Sequence, residues 1–169
     1  MTEEEQRQRF GEIIEQHKGI FFKVARAYCQ ADEDRQDLMQ EMMLQVWRSI
    51  NKYKEQFKIS TFLYRIALNV AISFYRKTAV RKAKYVAFDE QISQIQETNC
   101  PDKDERLSLL EQFISELKEM DKALMFLYLE DKTHSEIAEI LGMSVTNVGT
   151  KVGRIKDKLK QRFSKLKSS

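Results

Sequence analysis

Hydrophobic residues recur every three or four positions along most of this chain, which predicts amphipathic helices. The spacing is lost between Thr78 and Glu105, a stretch that contains the single proline of the sequence. Such a break predicts a flexible linker at 78–105 between two small helical domains, at 1–77 and at 106–169. The first domain contains three periodic stretches: 4–28, 34–50 and 60–77.

The composition favours an all-α fold. Five glycines and one proline are too few for the many turns of a β architecture. Hydrophobic residues make up 42% of the chain and charged residues 33%, so we expect it to fold rather than stay disordered. No apolar run approaches the roughly 20 residues of a membrane-spanning helix, and the charged N-terminus lacks the apolar segment of a signal peptide. We therefore expect a cytoplasmic protein.

Residues 133–159 predict two helices joined by a tight turn. Thr133 and Ser144 are N-cap residue types, and each precedes a helix with an apolar stripe. Gly142 lies between the two helices, where a tight turn demands a positive φ. Two helices joined in this way form a helix-turn-helix, which places its second helix in the DNA major groove. The apolar stripe of that second helix consists of Val148, Val152, Ile155 and Leu159.

The second of these helices is strongly basic. Residues 143–169 contain eight lysines and arginines against one acid, whereas residues 106–142 contain four basic and eight acidic residues. Such an excess at one end of a chain indicates an anionic partner, with nucleic acid as the first candidate and a membrane surface as the second. Gly149 and Gly153 share one side of this helix. They allow close approach of DNA or of another helix, or they have no role.

The sequence contains no recognisable catalytic or metal site. Cys29 and Cys100 form no CxxC pair, and His17 and His134 are isolated, so we expect no metal, no cofactor and no disulfide. A Gly-rich phosphate loop and a Ser/His/Asp set are also missing. We therefore expect neither enzymatic activity nor a small-molecule substrate.

Three segments, in this order, resemble the sigma-70 family of bacterial transcription factors: DLMQEMMLQVW at 37–47, STFLYRIALNVAISFYRK at 60–77 and THSEIAEILGMSVTNVGTKVGRIKDKL at 133–159. The first two correspond to region 2 of that family and the third to region 4. The chain leaves no room for the additional domains of larger sigma factors, so it resembles the extracytoplasmic-function (ECF) group. The resemblance implies an alternative sigma factor that binds core RNA polymerase and directs it to promoters. It also implies an anti-sigma factor as a partner.

Region 2 of such proteins binds the largest polymerase subunit and helps to melt the −10 promoter element. The resemblance assigns polymerase binding to one helix, at Asp37, Leu38, Gln40, Glu41 and Gln45. Melting requires aromatic groups for unstacked bases and cations along the exposed strand. The resemblance places those groups at Tyr53, Phe57, Lys58, Phe62, Arg65, Asn69, Arg76 and Lys77. Each of these aromatic residues can equally belong to the core, as can Leu38 and Trp47.

Region 4 of the family binds the −35 element as duplex DNA. The resemblance assigns that contact to Ser144, Thr146, Asn147, Thr150, Lys151, Arg154 and Lys158. It places Asn147, Thr150, Lys151 and Arg154 in the major groove and Ser144 and Thr146 near phosphates, and Lys158 is expected to contact phosphate as well. At Gly149 the family usually has lysine. A free-standing helix-turn-helix regulator is the alternative function. Such a regulator would bind duplex DNA by itself as a dimer, and it explains 133–159 but not the other two segments.

Overall fold

The computed structural model describes residues 2–86 and 105–167. All regular elements in these two ranges are helical, which confirms the all-α fold. The chain divides into two compact units, Met1–Thr78 and Ala79–Ser169. Within the described ranges, no helix has both the length and the apolar character that crossing a lipid bilayer requires. The elements are α1 (Glu3–Tyr28), α2 (Asp32–Ser49), a 3-10 helix (Ile50–Lys52), α3 (Ile59–Val86), α4 (Glu105–Glu116), α5 (Glu119–Leu129), α6 (His134–Leu141) and α7 (Val145–Lys167).

The first unit is built around one apolar core from α1, α2 and α3. Burial of large apolar side chains, at about 1.5–3 kcal/mol each, is the main stabilising contribution. A T-shaped contact between the rings of Tyr28 and Tyr75, with centroids 6.2 Å apart, joins α1 to α3. The largest fully buried side chains of this core are Phe21, Val24, Leu38, Met42, Val46, Ile50, Leu63 and Leu68.

The third helix extends beyond the predicted end of the first domain. It continues past Lys77 to Val86, so residues 78–86 of the predicted linker are helical. Residues 79–81 are exposed, and alanine and arginine favour a helix without any need for burial. The loss of apolar spacing therefore marks the end of the core and not the end of the helix. The remainder of the predicted linker, 87–104, lies outside the described residues, and the domain boundaries stay a prediction.

In the second unit, α6 and the turn that follows it have the predicted capping geometry. The Thr133 hydroxyl accepts a hydrogen bond from the backbone N–H of Glu136 at 3.1 Å and donates one to its carboxylate at 3.2 Å. Gly142 has φ 69° and ψ 39°, the left-handed conformation predicted for the turn. The N–H of Met143 then donates to the carbonyl of Ala138 at 3.1 Å. These contacts satisfy the ends of a short helix and set the direction of the next one.

The second helix of the predicted helix-turn-helix, α7, begins at its predicted cap. The Ser144 hydroxyl accepts from the backbone N–H of Asn147 at 3.1 Å. The apolar stripe of α7 packs against α5 and α6, and the helix-turn-helix prediction is thereby confirmed. Three members of the stripe are buried and Leu159 is half-buried. The buried members are Val148, Val152 and Ile155.

Candidate functional site

Five of the residues predicted for the −10 element line one pocket in the first unit. The pocket has a volume of about 310 Å³, at the lower end of the roughly 300–1,000 Å³ of small-molecule sites. It lies between the segment that follows the 3-10 helix and the first turns of α3. Aromatic rings, a guanidinium and an amide in one concave site can stack on a flat ring and form hydrogen bonds with its edge. The five residues are Tyr53, Phe57, Phe62, Arg65 and Asn69.

Tyr53 forms a well-anchored wall of this pocket. The centroid of its ring lies 5.0 Å from that of Phe62, and the two rings are tilted by 45°. Its hydroxyl donates to the backbone carbonyl of Phe57 at 2.6 Å, and its backbone N–H donates to the carbonyl of Ile50 at 3.3 Å. These bonds fix the segment 53–57 across the pocket. Phe57 is 43% exposed, so aromatic surface is accessible there.

The N-terminal half of α1 contacts both Tyr53 of this segment and Trp47 near the end of α2. The guanidinium carbon of Arg9 lies 5.5 Å from the centroid of the Tyr53 ring. One residue further along α1, Phe10 makes a T-shaped contact with Trp47, with ring centroids 5.4 Å apart. The Gln6 side chain donates to the backbone carbonyl of Trp47 at 3.0 Å. Sequence reasoning missed Arg9, because only the folding of α1 against α2 brings it close to Tyr53.

The other residues predicted for the −10 element lie outside the pocket. Lys58 is exposed just before α3 begins, and Arg76 and Lys77 are exposed further along that helix. At 1.5 Å per residue, Arg76 lies about 16 Å along the axis from Arg65. Arg65, Asn69 and Arg76 follow helical spacing, so polar and cationic groups continue along one face of α3. Further pocket residues that are not among the predicted site residues are Lys52, Lys54, Thr61 and Ile66.

Four of the five residues of α2 that were predicted to bind polymerase are exposed, and the fifth is not. Leu38 is fully buried. It precedes Met42 and Val46 at intervals of four, so the three share the core side of the helix, and its assignment to the polymerase surface is wrong. Sequence reasoning missed Leu44, which is 44% exposed on the opposite side. The predicted residues that do lie on the surface are Asp37, Gln40, Glu41 and Gln45.

A groove of about 520 Å³ between α1 and α2 adjoins this exposed face of α2. Gln40 belongs to the face and also lines the groove. Phe22 lines the groove and is 55% exposed. Arg35 also lines it and is anchored twice: its Nη1 lies 3.3 Å from an Asp32 carboxylate oxygen, and its Nε donates to the Cys29 carbonyl at 2.8 Å. The surface around the predicted polymerase face thus combines apolar area with positioned charge.

The residues predicted for the −35 element lie on one side of α7. With 3.6 residues per turn, the buried stripe faces the core and these residues face away from it. The Thr150 hydroxyl donates to the carbonyl of Thr146 at 3.0 Å, and Ser144 serves as the N-cap. Lys151 is half-buried. The exposed members of the set are Ser144, Thr146, Asn147, Thr150, Arg154 and Lys158.

The two glycines of α7 have different surroundings. A Cβ at Gly149 would lie 3.6 Å from Nδ1 of His134, at an ordinary van der Waals distance from α6. A Cβ at Gly153 would meet nothing within 4 Å. Near them on this side of the helix, Nζ of Lys156 lies 4.3 Å from the ring centroid of Tyr128. Gly149 therefore lies beside another helix of its own unit, and packing among the described residues does not require a glycine at 153.

Both helical units match family models. Residues 13–81 match Sigma-70 region 2, and residues 107–159 match Sigma-70, region 4. The chain is 30% identical to RNA polymerase sigma factor SigV of Bacillus subtilis (strain 168), over 83% of this chain and 82% of SigV. It is 27% identical to ECF RNA polymerase sigma factor SigW of the same organism, over 93% of this chain and 90% of SigW.

A solved structure has the same fold. The sigma factor RpoE from Bartonella quintana, in a co-crystal with the anti-sigma factor NepR, matches with a TM-score of 0.60 and 13% sequence identity. The match covers 94% of this chain and 96% of the RpoE chain. At this low identity the similarity establishes the fold alone.

Proposed function

The chain belongs to the sigma-70 family, as a member of the ECF group, and we propose that its two units divide promoter recognition between them. As a sigma factor it directs transcription initiation by RNA polymerase at promoters. Its partners are core RNA polymerase and promoter DNA. RNA synthesis itself belongs to the polymerase, so the chain supplies recognition and no catalysis of its own. It acts in the cytoplasm, where polymerase and promoters are found.

Core polymerase binds the exposed face of α2. Asp37, Gln40, Glu41 and Gln45 surround Leu44, so the face offers polar groups around an apolar centre. An apolar centre with a polar rim is the usual composition of a protein–protein interface. Leu38 contributes only indirectly, because it anchors α2 in the core.

The pocket beside α3 takes an unstacked base of the −10 element. Tyr53, Phe57 and Phe62 offer aromatic surface, and stacking on such surface contributes about 1–3 kcal/mol per base. Arg65 and Asn69 line the same pocket and can form hydrogen bonds with the base or its phosphate. Lys58, Arg76 and Lys77 lie outside the pocket and attract the backbone on either side of it, since each added phosphate contact strengthens binding in a salt-dependent way.

The −35 element binds along the exposed side of α7. Arg154 and Lys151 enter the major groove, with Asn147 and Thr150 beside them, while Ser144 and Thr146 at the helix N-terminus lie near phosphates. Lys158 contacts the backbone. The recognition helix can approach DNA in this way because its apolar stripe is buried against α5 and α6.

An anti-sigma factor regulates the chain. The solved structure of similar fold is a complex of a sigma factor with an anti-sigma factor. On this chain, the groove between α1 and α2 adjoins the proposed polymerase face at Gln40. A protein bound there would exclude core polymerase by occupying the same surface.

The observation that carries this proposal is the presence, in one chain, of a pocket with aromatic and cationic residues in the region 2 unit and a basic helix-turn-helix face in the region 4 unit. The test is to assemble the purified chain with core polymerase and to transcribe fragmented genomic DNA. We expect tight binding to core and initiation at a small set of promoters that share upstream and −10 sequences. Tight binding to duplex DNA as a dimer, without binding to core, would instead support the alternative of a free-standing regulator.

A further inference from the structure

Thr61, in the first turn of α3, differs from the other polar residues of the pocket because it is almost completely buried. It lines the pocket, yet only 6% of its surface is exposed. Arg65 and Asn69, which line the same wall, are exposed. A polar side chain at such depth normally has a hydrogen-bond partner inside the protein, because burial without one costs free energy.

The Thr61 hydroxyl has no such partner among residues 2–86 and 105–167. A threonine inside a helix often donates to the carbonyl four residues earlier. At Thr78, on the same helix, the hydroxyl donates to the Phe74 carbonyl at 2.9 Å. At Thr61 that position belongs to Phe57, whose carbonyl accepts the Tyr53 hydroxyl at 2.6 Å and not the hydroxyl of Thr61.

The hydroxyl must therefore be reached from the pocket. In the part of the chain that the structure describes, no fully enclosed side-chain nitrogen or oxygen lacks a hydrogen-bond partner. Since the Thr61 oxygen has no partner, it is not fully enclosed, and solvent reaches it. Thr61 exposes only 6% of its surface and lines this pocket, so the pocket is the natural route by which a ligand would reach the hydroxyl. The pocket thus combines aromatic surface with a deep hydroxyl that can both donate and accept.

We propose that the Thr61 hydroxyl forms a hydrogen bond with the edge of the unstacked base that enters this pocket, and so helps to determine which base is accepted. The inference rests on the proposed −10 function of the pocket. A site that offers a hydrogen bond to its ligand discriminates against ligands that cannot complete it, because a buried polar group is then left unpaired. Stacking on Tyr53, Phe57 and Phe62 tolerates any base, whereas a hydrogen bond to Thr61 forms only with a base that places a donor or an acceptor opposite the hydroxyl.

The test uses Thr61→Val, which keeps the branched shape and removes the hydroxyl, and Thr61→Ser, which retains it. Thr78→Val is the matched control, because it removes a hydroxyl from the same helix outside the pocket. Each full-length variant is assembled with core polymerase, and open-complex formation is measured on templates with each of the four bases, or an abasic site, at successive −10 positions. The captured position is the one where an abasic site weakens the wild-type complex most.

At the captured position, we expect Thr61→Val to weaken the complex with the preferred base by about 3- to 10-fold, the equivalent of one net hydrogen bond. The differences among the four bases should shrink. On the abasic template Thr61→Val and the wild type should be equal, and Thr61→Ser and Thr78→Val should match the wild type on all templates. If Thr61→Val does not fold, as judged by circular dichroism, Thr61→Ala takes its place in the same comparison.

Two results would overturn the role of Thr61 alone. One is an unchanged base preference in Thr61→Val while the wild type responds to the abasic site. The other is an equal loss on abasic and normal templates, which would indicate a structural defect. A third result, a wild-type complex that is indifferent to abasic sites throughout the −10 element, would instead remove the base-capture function of the pocket and the Thr61 inference with it.

Discussion

Replacing Gly153 with alanine should stabilise the second unit. The residue lies in the interior of α7, is exposed, and a Cβ there would meet nothing within 4 Å. Glycine in a helix interior costs about 0.5–1 kcal/mol relative to alanine. With no clash to offset that gain, the free energy of unfolding should rise by about this amount. For a unit of this size, the midpoint of thermal unfolding should rise by roughly 2–8 °C.

The two units can be followed separately, because Trp47 is the single tryptophan of the chain and lies in the first unit. Its fluorescence reports on the first unit, whereas far-ultraviolet circular dichroism reports on both. The dichroism transition that occurs without a change in fluorescence belongs to the second unit. Gly153→Ala should raise the midpoint temperature of that transition. Gly142→Ala is the matched control: at φ 69° a Cβ is strained, so this variant should lose about 1 kcal/mol.

A loss of stability in Gly153→Ala would refute the reasoning from local backbone geometry. An equal change in stability in Gly153→Ala and Gly142→Ala would refute it as well. The same Gly153→Ala protein also tests the role of this position in DNA binding. If the variant is more stable but its holoenzyme binds the −35 element more weakly, the backbone at Gly153 approaches the duplex closely. Unchanged binding means that glycine at this position only lowers stability.

Three further predictions concern the proposed surfaces. Leu44→Gln should weaken binding to core polymerase by about 1 kcal/mol, or roughly fivefold, in a titration with labelled protein, without changing the helical content; unchanged affinity would remove Leu44 from the interface. Arg9→Ala should reduce open-complex formation several-fold while −35 binding stays constant, because a cation–π contact with Tyr53 contributes about 0.5–1 kcal/mol. Selection from a randomised −35 element at two salt concentrations should show that Arg154→Ala relaxes preference at one or two positions, at about 1–3 kcal/mol each. Lys158→Ala should weaken binding to all sequences alike and lower the slope of log affinity against log salt concentration by about one. If Lys158→Ala instead relaxed the base preference and Arg154→Ala weakened all sequences alike, Lys158 would read the bases and Arg154 would contact phosphate.

The sequence by itself determined the local features of this protein. Helical spacing predicted the helices, and residue types predicted the caps at Thr133 and Ser144 and the left-handed turn at Gly142, all of which the structure confirms. These features are local: a cap, a turn and an apolar stripe each depend on residues within a few positions of one another. The three segments that resemble sigma factors predicted the family for the same reason, since each is a continuous stretch of chain.

Only the tertiary structure decided which side chains meet. Leu38 shares the spacing of Met42 and Val46, but the sequence left open whether it belongs to the core or to the polymerase surface, and only the packing of α2 decided that it is buried while Leu44 is 44% exposed. Arg9 contacts Tyr53 because α1 folds back onto the end of α2. Thr61 is buried without a hydrogen-bond partner among the described residues, whereas the Thr78 hydroxyl donates to the Phe74 carbonyl. Each outcome depends on how the helices pack against one another, and neither residue type nor spacing specifies that packing.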